Sequence, residues 1–134
     1  MNKVYLTRSF TFEAAHHLPN YEGKCNYEHG HSYRLDVTVS GLIDTYGFEY
    51  GDRAACFMVI DFTDLKKIVG EHILNTHDHV DLNDTYGCPT AEVMVVSIYD
   101  RIEDALPVSV KLESVKLWET SDCCAEYKGK GVDV

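Results

Sequence analysis

The sequence predicts an α+β fold: one antiparallel sheet in the order ββααββ, with two helices on one face. Segments 3–13 and 32–43 alternate apolar and polar residues with the period of two that is typical of strands. Segments 62–75 and 91–106 repeat apolar residues at steps of three and four, as amphipathic helices do. The chain alternates again after residue 107, so the helices lie between two pairs of strands. Helices segregated to one face of an antiparallel sheet are the natural packing for this order.

The first two strands each have one apolar face. In the first strand this face consists of Val4, Leu6, Phe10 and Phe12, with Arg8 interrupting it. In the second it consists of Tyr33, Leu35, Val37 and Val39. Such alternation indicates an antiparallel sheet with one side on the core. Pro19 closes the first strand, and residues 44–56 form a long loop because they carry two glycines and no period.

The helix ends and the last strands also have sequence signals. Asp61 and Thr90 are predicted N-caps, since their side-chain oxygens can accept early backbone N–H groups. After Pro107 the alternation changes phase by one residue, which predicts a bulge near Glu113–Ser114. A short final strand is expected within 123–128. Open edges on the first and last strands favour an oligomer, because exposed edges are commonly covered by another chain.

Composition and charge narrow the function. The 134 residues fit a single domain, 1–134, and are 45% apolar with a net charge of −10. This charge argues against nucleic acid and anionic membranes as partners, since both require Lys and Arg. No stretch approaches the roughly 20 apolar residues of a spanning helix, so no membrane is expected. The five cysteines include no C-x-x-C pair, and reduced thiols are consistent with the cytoplasm, which is the expected location.

Three histidines form the strongest chemical motif. His29 and His31 lie two residues apart, so both side chains point to one face of an extended segment. His16, at the end of the first strand, is the third candidate ligand. Three histidines with one position left open are the pattern of a catalytic zinc site. Cys25 would lie beside the metal as a thiolate base or nucleophile. Taken singly, each histidine is more often an ordinary core or surface residue.

Further titratable residues allow two readings each. Asp78 and His79 can form a carboxylate-oriented proton carrier, or they can be solvated loop residues. Glu119 is a candidate buried carboxylate, whose partner is either a ligand with an amidine-like edge or an internal cation. His17, His72 and His77 are expected to be structural or exposed.

Seven segments match one known family in order and spacing: residues 10–16, 25–31, 58–62, 78–79, 82–83, 89–92 and 119–120. Together they resemble the 6-pyruvoyl-tetrahydropterin synthase family. Its 6-carboxy-tetrahydropterin synthase branch is the most similar, since Cys25 lies close before His-Gly-His and Asp61 matches the bacterial Val-x-Asp-Phe form.

The resemblance implies a tunnelling fold (T-fold), in which trimers close a twelve-stranded barrel and two trimers stack into a homohexamer. It implies Zn²⁺ on His16, His29 and His31. It also implies Cys25 as the thiol that abstracts a proton, completed by Asp78 and His79 from a neighbouring subunit. Glu119 would bind the guanidine-like edge of the pterin, and Thr90 would line the pterin pocket.

The implied reaction converts 7,8-dihydroneopterin triphosphate to 6-carboxy-5,6,7,8-tetrahydropterin, acetaldehyde and triphosphate, in queuosine biosynthesis. A 6-pyruvoyl-tetrahydropterin synthase and a non-catalytic pterin-binding protein are the alternatives. The chain departs from the family in a longer segment between Asp44 and Met58, in Phe57 where glycine is usual, and in His77 where leucine is expected. These departures affect the expected substrate preference more than the expected zinc binding. Arg8, Lys24 and Lys67 are the candidates for triphosphate contacts.

Overall fold

The computed structural model describes residues 1–19, 23, 29–45 and 57–131. Within them the sheet has the order β3-β1-β2-β4-β5. Its strands, in chain order, are β1 (Asn2–His16), β2 (His29–Ile43), β3 (Val80–Asp81), β4 (Lys111–Trp118) and β5 (Cys124–Tyr127). The predicted strands therefore form. β1 continues to His16 instead of ending at residue 13, and β2 begins at His29 instead of residue 32.

The pairing is antiparallel for all four strands that the sequence predicts. β1 pairs with β2, β2 with β4, and β4 with β5. The phase shift in β4 is a bulge as predicted: Thr38 pairs with Ser114 and Val39 with Leu112, which leaves Glu113 as the extra residue. β3 differs from expectation, because residues 80–81, which lie outside every predicted strand, form a two-residue strand parallel to β1. The sheet is therefore mixed.

The first predicted helix is one continuous but irregular helical segment. It comprises α1 (Phe62–Val69), a π-helical turn (Gly70–Leu74) and α2 (Asn75–His77). The side chain of Asp61 accepts from the Thr63 N–H at 2.7 Å, as the N-cap prediction requires. The π-helical turn was not predicted, since one extra residue in a turn leaves most of the apolar stripe unchanged.

The second predicted helix is α3 (Ala91–Ala105). Its N-cap is Thr90, whose side chain accepts from the Val93 N–H at 3.2 Å. The apolar residues of α1, the π-helical turn and α3 share one core with the inward face of the sheet. Its fully buried members include Tyr33, Leu35, Val37, Val39, Leu65, Val69, Ile73, Met94, Ile98 and Ile102. Both helical segments therefore pack on the same sheet face, as predicted.

Candidate metal centre

The register of β1 and β2 brings the three predicted histidines together. His16 pairs directly with His29, and His31 pairs with Ala14, two residues further along. Directly paired residues and their same-face neighbours are within reach of one another across antiparallel strands. The ring centroids of His29 lie 4.6 Å from those of both His16 and His31, and the His16 and His31 centroids are 5.0 Å apart.

Glu119 joins these histidines from β4. It follows Trp118, the last residue of that strand, and its Oε1 lies 3.2 Å from His31 Nε2 and 3.9 Å from His16 Nε2. The Nε2 atoms of His16 and His29 are 3.1 Å apart. One ligand atom from each of the four residues lies within 4.8 Å of every other. We call this group the histidine–glutamate cluster.

Two distances in the cluster fit a tetrahedral metal ion: 3.1 Å between His16 Nε2 and His29 Nε2, and 3.2 Å between His31 Nε2 and Glu119 Oε1. With zinc–nitrogen and zinc–oxygen bonds near 2.0–2.1 Å, neighbouring ligand atoms are separated by about 3.3 Å. His31 Nε2 is buried and makes no hydrogen bond within the described part of the chain, although Glu119 Oε1 is close by. A buried nitrogen without a hydrogen bond is costly, and a shared cation removes that cost. The donor set therefore fits zinc.

The second ring nitrogen of His16, Nδ1, also lies within hydrogen-bonding distance of other groups. Nδ1 lies 2.9 Å from the carbonyl oxygen of Pro89 and 3.2 Å from the Tyr33 hydroxyl. A carbonyl can only accept, so Nδ1 carries the proton and donates it. The lone pair of His16 is then on Nε2, the atom that faces the cluster. Metal-binding histidines are typically oriented by a contact of this kind.

Burial sets the charge state around the cluster. It lowers the pKa of His31, against an opposing effect from the Glu119 carboxylate, and so favours the neutral imidazole that metals require. Burial also raises the pKa of the Tyr33 phenol, with a further contribution from Glu119, so this hydroxyl remains protonated.

Asp78 and His79 form a second constellation at the edge of the sheet, which we call the Asp78–His79 pair. Their side chains touch: Asp78 Oδ1 lies 3.0 Å from His79 Nδ1 and accepts from the Glu13 N–H at 2.9 Å. The His79 N–H donates to the Glu13 carbonyl. His79 has a φ of 57°, which is uncommon for a residue other than glycine. Two hydrogen bonds to one residue of β1 hold this backbone conformation.

The Asp78–His79 pair faces solvent. The side chains of Asp78 and His79 are 42% and 77% exposed. The N–H of Glu13, assisted by His79, holds the pKa of Asp78 below its ordinary value. His79 and His31 both line an open cavity of about 500 Å³ along the ends of β1 and β2. The pair is thus a carboxylate-oriented imidazole that solvent or another chain can reach.

The remaining predicted site residues divide into two groups. Thr90 is half-buried and caps α3 directly after Pro89, whose carbonyl contacts His16. Cys25 and Lys24 lie outside the described residues, as do 46–56 of the long predicted loop. Among the three histidines expected to be structural or exposed, His77 is fully buried and hydrogen-bonded, His17 is half-buried and His72 is exposed.

Three contributions were missed at the level of sequence. The Pro89 carbonyl and the Tyr33 hydroxyl contact His16, and the Glu119 carboxylate lies beside the three histidines. A backbone carbonyl has no signature in the sequence. Glu119 is far from the histidines along the chain, and only the pairing of β4 with β2 brings it close.

Comparison with known proteins is consistent with this geometry. The family model described as 6-pyruvoyl tetrahydropterin synthase matches residues 5–130. The chain belongs to the 6-pyruvoyl tetrahydropterin synthase family. The resemblance inferred from the motifs is therefore confirmed.

Curated relatives of this family carry two different names. The 6-carboxy-5,6,7,8-tetrahydropterin synthase of Synechocystis is 41% identical over 90% of this chain and 89% of its own length. The Haemophilus influenzae protein of the same name is 34% identical over 92% of this chain and 97% of its own. Human 6-pyruvoyl tetrahydrobiopterin synthase is 35% identical, with 96% and 93% covered.

The solved structures agree on the fold. Caenorhabditis elegans 6-pyruvoyl tetrahydropterin synthase superposes with a TM-score of 0.80 at 27% identity, over 97% of this chain and 98% of that one. The tunnelling-fold architecture predicted for the single chain is thus confirmed. No helix in the described part of the chain has the length and apolarity needed to cross a membrane.

Proposed function

We propose that this protein is a zinc-dependent lyase that converts 7,8-dihydroneopterin triphosphate to 6-carboxy-5,6,7,8-tetrahydropterin, acetaldehyde and triphosphate. The observation that carries the proposal is the histidine–glutamate cluster, with its ligand atoms within 4.8 Å of one another, in a member of a pterin synthase family. The product is used in the biosynthesis of queuosine. A homohexamer made of two trimers is part of the proposal.

His16, His29 and His31 would hold the zinc ion. A bound zinc ion would supply a Lewis acid, which would make a C–H of the substrate side chain more acidic. Glu119 would receive the guanidine-like edge of the pterin, a geometry that suits a carboxylate. Thr90, at the start of α3, would line the pterin pocket near the Pro89 contact to His16.

Cys25 and the Asp78–His79 pair would move protons. The Cys25 thiolate accepts a proton from the substrate side chain, and His79 returns one at the neighbouring carbon. The Asp78 carboxylate accepts the Nδ1–H of His79 at 3.0 Å, which leaves Nε2 as the atom that exchanges protons. Because the Asp78–His79 pair is exposed at the sheet edge, we propose that it serves the site of a neighbouring subunit.

A specific observation supports a second candidate, a 6-pyruvoyl-tetrahydropterin synthase acting on the same substrate. The human relative of that name is 35% identical over 96% of the chain, close to the value for the Haemophilus relative. The position of Cys25 close to His-Gly-His favours the carboxy product, since the biopterin-forming branch is typified by a longer spacing between the cysteine and the first histidine.

The test is an incubation of zinc-loaded protein with 7,8-dihydroneopterin triphosphate, followed by mass spectrometry of the pterin and an acetaldehyde assay. A carboxypterin with acetaldehyde is expected. A pyruvoyl product without acetaldehyde would establish the second candidate, and an unchanged substrate would contradict both.

The role of Cys25 has its own test. Cys25→Ala should lower turnover by about 100-fold or more while zinc is retained, because a general base typically contributes 10²–10⁴-fold. Cys88→Ala, which removes an exposed cysteine, is the matched control and should leave turnover unchanged. Equal turnover in the two variants would rule out Cys25 as the base.

A further inference from the structure

The cluster holds four ligand atoms where an open catalytic zinc site needs three from the protein. Glu119 Oε1 is 3.2 Å from His31 Nε2 and 3.9 Å from His16 Nε2. The first distance is close to the separation of two neighbouring ligand atoms around tetrahedral zinc. Among the described residues, these four form the group whose donor atoms converge closely enough for a metal. A site with four protein ligands is closed to substrate and water.

The Glu119 carboxylate lies in ion-pair contact with His31 but also faces His16 Nε2. His16 donates its Nδ1 proton to Pro89, so the His16 Nε2 that faces Glu119 is an acceptor. The nearby His31 Nε2 is buried and forms no hydrogen bond with any described group. The His16 Nε2 lone pair and the Glu119 carboxylate repel each other unless a cation lies between them. The arrangement therefore indicates that the carboxylate is directed at a metal ion.

Glu119 has space to leave the cluster. Its backbone N–H donates to the Cys123 carbonyl at 3.0 Å, which fixes the main chain of the β4–β5 turn. Its side chain is 26% exposed and also lines a cavity of about 520 Å³. The other residues around this cavity are Ala91, Glu92, Cys123, Cys124, Ala125 and Glu126. The Glu119 side chain therefore borders both the cluster and the cavity.

We propose that Glu119 is a displaceable fourth metal ligand, which closes the metal centre until the amidine edge of a pterin takes over its carboxylate. The pterin half of this inference rests on the proposed function. One carboxylate then has two alternative partners, so binding of the pterin ring opens the coordination position that the substrate side chain needs. Without a pterin, the closed centre retains its metal more firmly and excludes water.

The test uses protein loaded with cobalt(II), whose visible absorption reports the number and kind of ligands. The wild type is expected to show an intense four-coordinate spectrum that changes on addition of plain pterin, a probe without the side-chain oxygens that would bind the metal. Metal-loaded Glu119→Gln without pterin should already differ from the wild type. Its zinc affinity, measured by competition with a chelator, should be at least tenfold lower.

Glu126→Gln is the matched control, because Glu126 lines the same cavity outside the cluster. It should reproduce the wild-type spectrum and zinc affinity. Equal zinc affinity and equal spectra in wild type and Glu119→Gln would overturn the inference. So would an unchanged wild-type spectrum once quenching of pterin fluorescence shows saturation.

These outcomes are separate from those of the proposed function. A protein that binds zinc through Glu119 but turns over no pterin triphosphate supports the fourth ligand and contradicts the lyase. A protein with normal turnover, and with zinc affinity independent of Glu119, supports the lyase and contradicts the fourth ligand. A protein that binds no metal contradicts both.

Discussion

His31 is one of the three imidazoles of the histidine–glutamate cluster, and its removal is expected to weaken metal binding. His31→Ala takes away one of three imidazole donors and leaves two histidines with Glu119. Loss of an outer contact to a metal ligand already costs 10–100-fold in affinity, so we expect zinc affinity to fall by at least about 100-fold. His17→Ala is the control, since its half-buried side chain is outside the cluster. Zinc per chain after dialysis is the measurement, and full occupancy in His31→Ala would contradict the assignment.

Asp36, on the sheet face opposite the core, is expected to make stability depend on pH. Burial alone would raise the pKa of Asp36, but hydrogen bonds from Ser9 at 2.6 Å and Trp118 at 2.9 Å, together with Arg34, outweigh burial and lower it. A carboxyl with a lowered folded-state pKa stabilises the fold above its unfolded pKa of about 3.9 and loses this effect as pH falls further.

Asp36→Asn should therefore cost about 1–2 kcal/mol at pH 7, and its difference from the wild type should shrink as pH falls below about 4. Urea unfolding at a series of pH values measures this. Asp100→Asn, an exposed change on α3, should lie within about 0.5 kcal/mol of the wild type at pH 7. A constant difference for Asp36→Asn down to pH 3 would show that the ionised carboxylate is not what stabilises the fold.

At the same scale, the sequence predicted some residues of the site and missed others for a physical reason. His29 and His31 were predictable because their two-residue spacing fixes a common face, and His16 because it ends the paired strand. The place of Glu119 depends on a strand far along the chain and on the rotation of one flexible side chain. Local spacing contains neither of these.

At the level of elements, the end of α2 depends on a buried polar contact. His77 is fully buried and receives or donates a hydrogen bond at both ring nitrogens, with Tyr86 Oη 2.6 Å from Nε2 and the Ile73 carbonyl 2.9 Å from Nδ1. Because the carbonyl accepts, Nδ1 carries the proton and Nε2 accepts from Tyr86. This contact fixes the helix directly before the Asp78–His79 pair.

Tyr86→Phe leaves the buried Nε2 of His77 without a donor and should destabilise the fold by about 1–3 kcal/mol. Adding His77→Leu removes the unsatisfied group, so the double variant should recover part of the loss. Tyr5→Phe, at a tyrosine that is 56% exposed, is the control and should change stability by less than about 0.5 kcal/mol. Chemical denaturation measures all four proteins, and a Tyr86→Phe variant as stable as the control would contradict the role of this contact.

A helix or strand was predictable when its periodic pattern of apolar residues extends over enough positions. β2 was predictable because four alternate residues are apolar, and all four are fully buried. The β4 bulge was predictable because the alternation changes phase there. β3 has two residues, too few for any period, and it exists because β1 offers a free edge. The π-helical turn inserts one residue and leaves most of the apolar stripe that defines the helix unchanged.

For the whole molecule, the separation of chemical groups is the informative feature. Of the cluster residues, His16 is 1% exposed and the other three are half-buried, whereas His79 is exposed directly before the edge strand β3. A sheet with open edges can pair with another chain, and a closed barrel of several chains removes those edges. An exposed pair at such an edge is suited to complete a site on a neighbouring subunit.

Hybrid oligomers test this arrangement. His31→Ala lacks a metal ligand and His79→Ala lacks the proton carrier, so each homo-oligomer should be inactive. If one site takes the cluster from one subunit and His79 from the next, random mixing in equal amounts restores about one quarter of the sites, because both contributors must be intact. Turnover of mixed, refolded protein, with native mass spectrometry to show hybrids, is the measurement. Hybrids without activity would mean that His79 serves its own chain, through the cavity that it lines together with His31.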